Sequence, residues 1–217
     1  MTATRTNHPA LEKLFRSIAD GDRALSSELI ATTPSLAREA AAIGATRTDE
    51  SHFLEPLKRH TYAGDTALHI AAAAHEAAIV RQLIDAGADV RAINRRKATP
   101  LHSASVGNPN SPRWNPASQA ATIALLIDAG ADPNAADADG VTPLHRAVRA
   151  RCTAAVEALL QHGADVHRAN RSGSTPLRLA VLTTGASGSG TARAREAQAE
   201  IVRVLRTHGA VERITAE

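Results

Sequence analysis

Apolar residues recur at helical spacing along this chain, in pairs of short segments separated by polar turns. The first pair lies on either side of Asp20-Gly21-Asp22, with apolar positions at Leu11, Leu14, Phe15 and Ile18, then at Leu25, Leu29 and Ile30. The clearest later pair has them at Leu68, Ala71 and Ala72, then at Ile79, Val80, Leu83 and Ile84. Gly87 follows as a left-handed residue that ends a helix. This periodicity predicts helix-turn-helix units that bury one side of each helix.

A short motif marks the start of the first helix in four of these units. It reads Thr66-Ala67-Leu68-His69, Thr99-Pro100-Leu101-His102, Thr142-Pro143-Leu144-His145 and Thr175-Pro176-Leu177-Arg178. Gly-Ala-Asp follows at 87–89, 130–132 and 163–165, and decays to Gly-Ala-Val at 209–211. The step from Thr66 to Thr99, and from Thr142 to Thr175, is 33 residues. A constant period of this length predicts stacked copies of one unit.

The motif and its period resemble those of ankyrin-repeat proteins. The resemblance implies an all-α solenoid of stacked helix-turn-helix units with β-turn fingers, forming one domain over residues 1–217. We expect a degenerate first repeat at 10–43, an insertion at 44–60, and repeats at 61–93, 94–136, 137–169 and 170–210. Further insertions at 107–116 and 183–195 lengthen the turn between the two helices of their repeats. The resemblance also implies that the concave face binds a protein partner.

Composition narrows the classes of function. Aromatic residues make up 2% of the chain, and 25 Lys and Arg stand against 22 acidic residues, giving a net charge of +3. Nucleic-acid binding would need a clustered basic stripe and aromatic stacking partners, and the latter are nearly absent. The residues available for such a stripe are Arg47, Arg59, Arg91, Arg95, Arg96 and Lys97. With a single cysteine and no membrane-length apolar window, we expect a cytoplasmic protein without a specific nucleic-acid or membrane partner.

The repeated Thr, Pro and His residues have structural interpretations. Each Thr can cap free amides at the start of its helix, and a Pro suits the first helical position. In the family that the chain resembles, the histidine, here His69, His102 and His145, hydrogen-bonds between neighbouring loops. Because no histidine pair has metal-ligand spacing with a carboxylate beside it, we expect neither a metal nor a cofactor.

The insertions at 107–116 and 183–195 should flank the turn 149–153 of the fourth repeat. Counting from each Thr, the fourth, seventh and eighth following positions face the concave groove: Ile70, Ala73 and Ala74 in the first regular repeat, and Arg146 and Arg149 in the fourth. These arginines are either solvated or grip a carboxylate or phosphate. The candidate ligand-binding residues are Trp114, Asn115, Gln119, Arg146, Arg149, Arg151, Thr183 and Thr184.

Two functions from different classes stay open. The first is a protein-binding module or scaffold that uses its concave face. The second is a binding protein or enzyme for an anionic small molecule, with a pocket between the two later insertions. In that case Trp114 would form an apolar wall, whereas otherwise it anchors its loop.

The sequence shows no evident catalytic set, so enzyme activity is not assigned. Cys152, His102 and Tyr62 are the speculative proton-transfer groups of the second function. Cys152 is either a small residue near the helix turn or a nucleophile whose pKa is lowered by neighbouring arginines. Exposed Arg203 and Arg206 on the last helix favour a monomer over a homodimer.

Overall fold

A computed structural model describes residues 7–46, 52–109, 114–182 and 191–211. Five pairs of α-helices follow one another along these segments. Their bounds are α1 Pro9–Asp20, α2 Arg23–Thr32, α3 Ala67–Ala74, α4 Ala77–Asp85, α5 Pro100–Ala104, α6 Pro116–Asp128, α7 Pro143–Arg149, α8 Thr153–Gln161, α9 Pro176–Val181 and α10 Ala192–Thr207. Between α2 and α3 lie a short 3-10 helix, Pro34–Ala37, and a small hairpin with strands β1 Phe53–Leu54 and β2 Arg59–His60.

The helices form two parallel layers. Each first helix contacts the first helix of the next pair, from α1 through α3, α5 and α7 to α9. The second helices α2, α4, α6, α8 and α10 contact each other in the same order. The core between the layers consists of small and medium aliphatic side chains, including fully buried Leu68, Leu101 and Leu144 at equivalent positions of three repeats. This architecture confirms the predicted all-α solenoid.

The motif histidines join neighbouring repeats. The Thr99 backbone N–H donates to His102 Nδ1 at 3.1 Å, so the ring proton is on Nε2, which donates to the Val141 carbonyl at 2.9 Å. His69 and His145 repeat this arrangement, with their Nε2 atoms 3.0 and 2.9 Å from the carbonyls of Ala98 and Ser174. The predicted structural role of these histidines is confirmed.

The loops between repeats share a second local device. Asn94 Oδ1 accepts from the backbone N–H groups of Arg96 and Ala98, at 2.9 and 3.1 Å. Asp137 and Asn170 occupy the equivalent positions and accept two backbone N–H groups each. An acceptor at this position therefore holds each turn in shape. Adjacent turns are then linked by backbone hydrogen bonds of 2.8–3.0 Å, from Arg95 to Ala63, from Ala138 to Arg96 and from Arg171 to Asp139.

The 44–60 insertion contains the hairpin. Phe53 pairs with His60 and Leu54 with Arg59 in an antiparallel register, and the 3-10 turn Glu55–Leu57 joins the strands. Leu54 is buried in the core of the stack, whereas Phe53 is 39% exposed. Ile70, expected in the groove, is instead completely buried. The groove lining in this repeat therefore begins at half-buried Ala73, one turn further along α3.

Candidate functional site

A packed cluster lies where the third and fourth repeats meet, at the turns between the two helices of each repeat. It consists of Trp114, Gln119 and Cys152. Trp114 Nε1 donates to Gln119 Oε1 at 3.0 Å, and Gln119 Nε2 donates to the Ala104 carbonyl at 2.9 Å. Gln119 and Cys152 are completely buried. A Cβ at Gly107 would lie 2.3 Å from Trp114 Nε1 and 2.9 Å from Cys152 Sγ, so the cluster has no free space on that side.

The pKa values of Cys152 and His102 do not favour a catalytic role for either side chain. Burial raises the pKa of the Cys152 thiol to about 11, although hydrogen bonding with Gly107 and Gln119 acts in the opposite direction. A nucleophilic thiolate needs a lowered pKa, so this environment does not provide the activation considered from the sequence. Both ring nitrogens of His102 are engaged, and burial lowers its pKa to about 4.

The other residues of the expected edge site are dispersed. Asn115 caps α6, because its Oδ1 accepts from the backbone N–H groups of Ala117 and Ser118 at 2.8 and 3.1 Å. Arg151 lines a separate cavity of about 450 Å³ between the fourth and fifth repeats, together with Arg149. Thr183 and Thr184 lie outside the described residues. The structure thus brings only part of the sequence-predicted set together.

A cavity of about 620 Å³ lies on the inner side of the stack, between the 53–60 hairpin and α7. We call it the concave groove. Its cationic lining residues are Lys58, Arg59, Arg96, Arg146 and Arg149, its acidic ones are Asp137 and Asp139, and its apolar floor includes Ala73, Val106 and Ala150. Tyr62, a candidate from the sequence, lines the same groove.

Arg59 fixes the hairpin against the inner helices. Its Nη2 donates to Asp65 Oδ2 at 2.9 Å, and its Nη1 lies 3.3 Å from both the His69 carbonyl and Ser103 Oγ. Asp65 is fully buried, and it also accepts from Asn94 Nδ2 at 2.9 Å. These bonds connect the hairpin to the first two regular repeats, so its residues form one wall of the concave groove.

The opposite wall carries two arginines that differ in their surroundings. Arg146 Nη2 donates to Asp137 Oδ2 at 2.9 Å, and the Asp137 side chain is only 4% exposed. Burial lowers the pKa of Arg146, and the charges of Arg96 and Arg59 act in the same direction. Arg149, one turn further on α7, is exposed and has no ion pair with any residue that the structure describes. Positive charge in the concave groove is therefore only partly neutralised.

Tyr62 contributes an aromatic surface that is already occupied. The guanidinium of Arg95 lies 5.1 Å from its ring centroid, and that of Arg96 lies 5.9 Å away. Arg96 also approaches Asp139 at 3.6 Å. These cation–π contacts hold the loop arginines beside the hairpin, at the mouth of the concave groove.

The sequence predicts Arg146, Arg149 and Tyr62 as candidates but does not group them with Arg59 and Arg96. From the sequence, those two arginines belong only to a possible basic stripe along the loops. Their position in the concave groove depends on the hairpin, whose placement has no signal in the repeat period. The 44–60 insertion between the first two repeats is the feature of the sequence that indicates an additional segment beside the stack.

A family model described as "Ankyrin repeats (3 copies)" matches residues 41–113 and 116–215, which together are most of the chain. The chain belongs to the ankyrin-repeat family. Repeats of this family are generally protein–protein interaction modules. No curated protein matches the chain.

The ankyrin match begins after α1 and α2, yet these helices pack as a repeat. Helix α1 contacts α3, and α2 contacts α4, as in every later pair. Leu11, Leu14 and Ile18 are buried on α1, and Gly21 has a φ of +79° in the turn that follows it. In the part of the chain that the structure describes, no helix is long and apolar enough to cross a membrane, and no group of His, Cys, Asp or Glu could hold a metal ion.

Proposed function

We propose that this ankyrin-repeat protein is a protein-binding module whose concave groove receives a segment of its partner. The observation that carries the proposal is the exposure of Val106, which is 45% exposed on the floor of the groove between cationic walls. An apolar side chain surrounded by polar ones is typical of a surface that is covered on binding. The cytoplasmic location and the monomeric state expected from the sequence stay predictions.

The alternative, an anionic small-molecule site between the two later insertions, receives less support. Trp114 and Gln119 hydrogen-bond to each other and pack against Gly107 and Cys152. Their polar atoms are thereby used within the protein. Within the residues that the structure describes, Arg149 and Arg151 line the cavity between the fourth and fifth repeats, but Arg149 and Arg146 also line the concave groove.

Site-specific photo-crosslinking in the host cell tests the proposal. A photoreactive residue replaces Val106 in the concave groove or, as the control, Arg81 on the exposed side of α4. We expect Val106 to give a crosslink to one discrete polypeptide and Arg81 not to give it. Equal crosslinking from both positions, or none from Val106, would contradict binding through the groove.

A further inference from the structure

The charge of the concave groove indicates the chemistry of the partner. Five cationic and two acidic side chains line it, and two further carboxylates just outside the lining, Asp65 and Glu55, pair with Arg59 and Lys58. The Asp137 carboxylate already accepts hydrogen bonds from Arg146 and from two backbone N–H groups, and Asp139 lies near Arg96. Within the described residues, no carboxylate is left for Arg149. An anionic group from outside would complete this arrangement.

We propose that the concave groove binds an extended acidic segment of the partner protein, with a carboxylate at Arg149 and an apolar side chain on Val106. This inference rests on the proposed protein-binding function and specifies the partner. Guanidinium and carboxylate groups form short, charge-assisted hydrogen bonds, often with two bonds in parallel. Arg149 is exposed and can adopt that geometry without breaking a bond within the protein.

The repeat geometry also predicts a spacing within the segment. Ala73, Val106 and Arg149 occupy the same position of three successive repeats, seven residues after the motif Thr in each. Packed helices lie about 8–10 Å apart, and an extended chain rises about 3.3 Å per residue. An acidic residue at Arg149 should therefore stand about three positions from the apolar residue at Val106. In either chain direction, the segment therefore has an apolar residue and an acidic residue with two residues of any kind between them.

Nucleic acid fits the concave groove less well than an acidic peptide. Single-stranded nucleic acid is held by stacking of its bases on aromatic rings as well as by charge. Tyr62 is the aromatic side chain of the groove, and Arg95 and Arg96 lie over its ring. An apolar floor at Val106 and Ala73 likewise suits a side chain better than a phosphate backbone.

Fluorescence anisotropy with a synthetic peptide tests the inference. The probe is a labelled peptide in which Leu stands three positions from a Glu-Glu pair on either side, and its matched control has Gln-Gln in place of each Glu-Glu. We expect the wild-type protein to bind the acidic peptide at least about tenfold more tightly than the control, because the control cannot form charge-assisted hydrogen bonds with Arg149. Affinity should fall as salt is added.

The decisive variant is Arg149→Glu, and its matched control is Arg81→Glu, which makes the same charge change on the exposed side of α4. Arg149→Glu should weaken peptide binding by tenfold or more, and Arg81→Glu should leave it nearly unchanged. Both should keep the far-ultraviolet circular dichroism spectrum and melting temperature of the wild type. No peptide binding, equal binding of the Gln peptide, or wild-type affinity in Arg149→Glu would overturn the inference.

Competition and crosslinking separate this inference from the proposed function. Excess acidic peptide should suppress the crosslink from Val106, whereas inorganic phosphate or a single-stranded oligonucleotide at the same charge concentration should not. If either of those displaces the peptide more effectively, the acidic-segment proposal is wrong. If Val106 still crosslinks a partner in the Arg149→Glu background, the protein-binding function stands and only the acidic partner is excluded. If the wild-type protein gives neither peptide binding nor a crosslink from Val106, both the acidic-segment proposal and the protein-binding function are excluded.

Discussion

Acidification should destabilise the protein because buried His102 has to remain neutral. The ring is completely buried, its Nδ1 accepts from the Thr99 N–H, and its Nε2 donates to the Val141 carbonyl. Burial and then the charge of Arg146 lower its pKa from the ordinary value of 6.5 to about 4. The Val141 carbonyl and Asp137 favour the protonated ring but do not offset the burial.

The size of the effect follows from the two pKa values. Between the unfolded value of 6.5 and the folded value of about 4, the unfolded chain binds a proton that the folded protein does not. The contribution of His102 is therefore complete above the unfolded pKa and is lost as pH falls toward the folded pKa. The loss is about 2 kcal/mol at pH 5 and about 3 kcal/mol in all. His69 and His145, whose pKa values are also lowered mainly by burial, act in the same direction.

Urea unfolding followed by circular dichroism at pH 7 and pH 5 measures this loss. His102→Gln keeps a hydrogen-bond acceptor and a donor but cannot titrate. From pH 7 to pH 5, the free energy of unfolding of the wild type should therefore fall by about 2 kcal/mol more than that of His102→Gln. His167→Gln, at an exposed position, serves as the control and should behave as the wild type. A wild-type pH dependence in His102→Gln, or an NMR titration of His102 near its ordinary pKa, would refute the reasoning.

Two further predictions concern Asp137 and Cys152. Asp137→Ala should lower the free energy of unfolding by about 3 kcal/mol, because it leaves Arg146 and two backbone N–H groups without their acceptor. Asp137→Asn should cost clearly less in the same urea titration, since Asn94 and Asn170 hold the equivalent turns with an amide oxygen. Cys152 should react slowly with a thiol reagent at pH 8 in the native protein and rapidly in urea, because burial raises its pKa to about 11. Rapid labelling of the native thiol would show that the packed cluster is open.

The repeated local devices could be predicted from the sequence because each depends on residues close together in the chain. Thr99, Pro100 and His102 start a helix in the same way wherever the motif occurs, and the period brings each His to the next loop. The same count from the motif Thr predicts Arg146 and Arg149 on the inner side of the stack, where both line the concave groove, but it also predicts Ile70 there, which is buried. The ligand site expected around Trp114 follows from two insertions that flank the arginine-rich fourth repeat, whereas in the structure the Trp114 side chain bonds to Gln119 and packs on Gly107.

The sequence by itself determined the repeat period and the helix pairs, because these follow from local hydrogen bonding and apolar spacing, whereas its assignment of Ile70 to the groove was wrong. The tertiary structure decided where the 53–60 hairpin lies, through bonds from Arg59 to Asp65, His69 and Ser103. The bond to Ser103 joins residues 44 positions apart, which no local pattern encodes. That contact creates the second wall of the concave groove, and it gathers arginines from the insertion, the loops and α7 around one cavity.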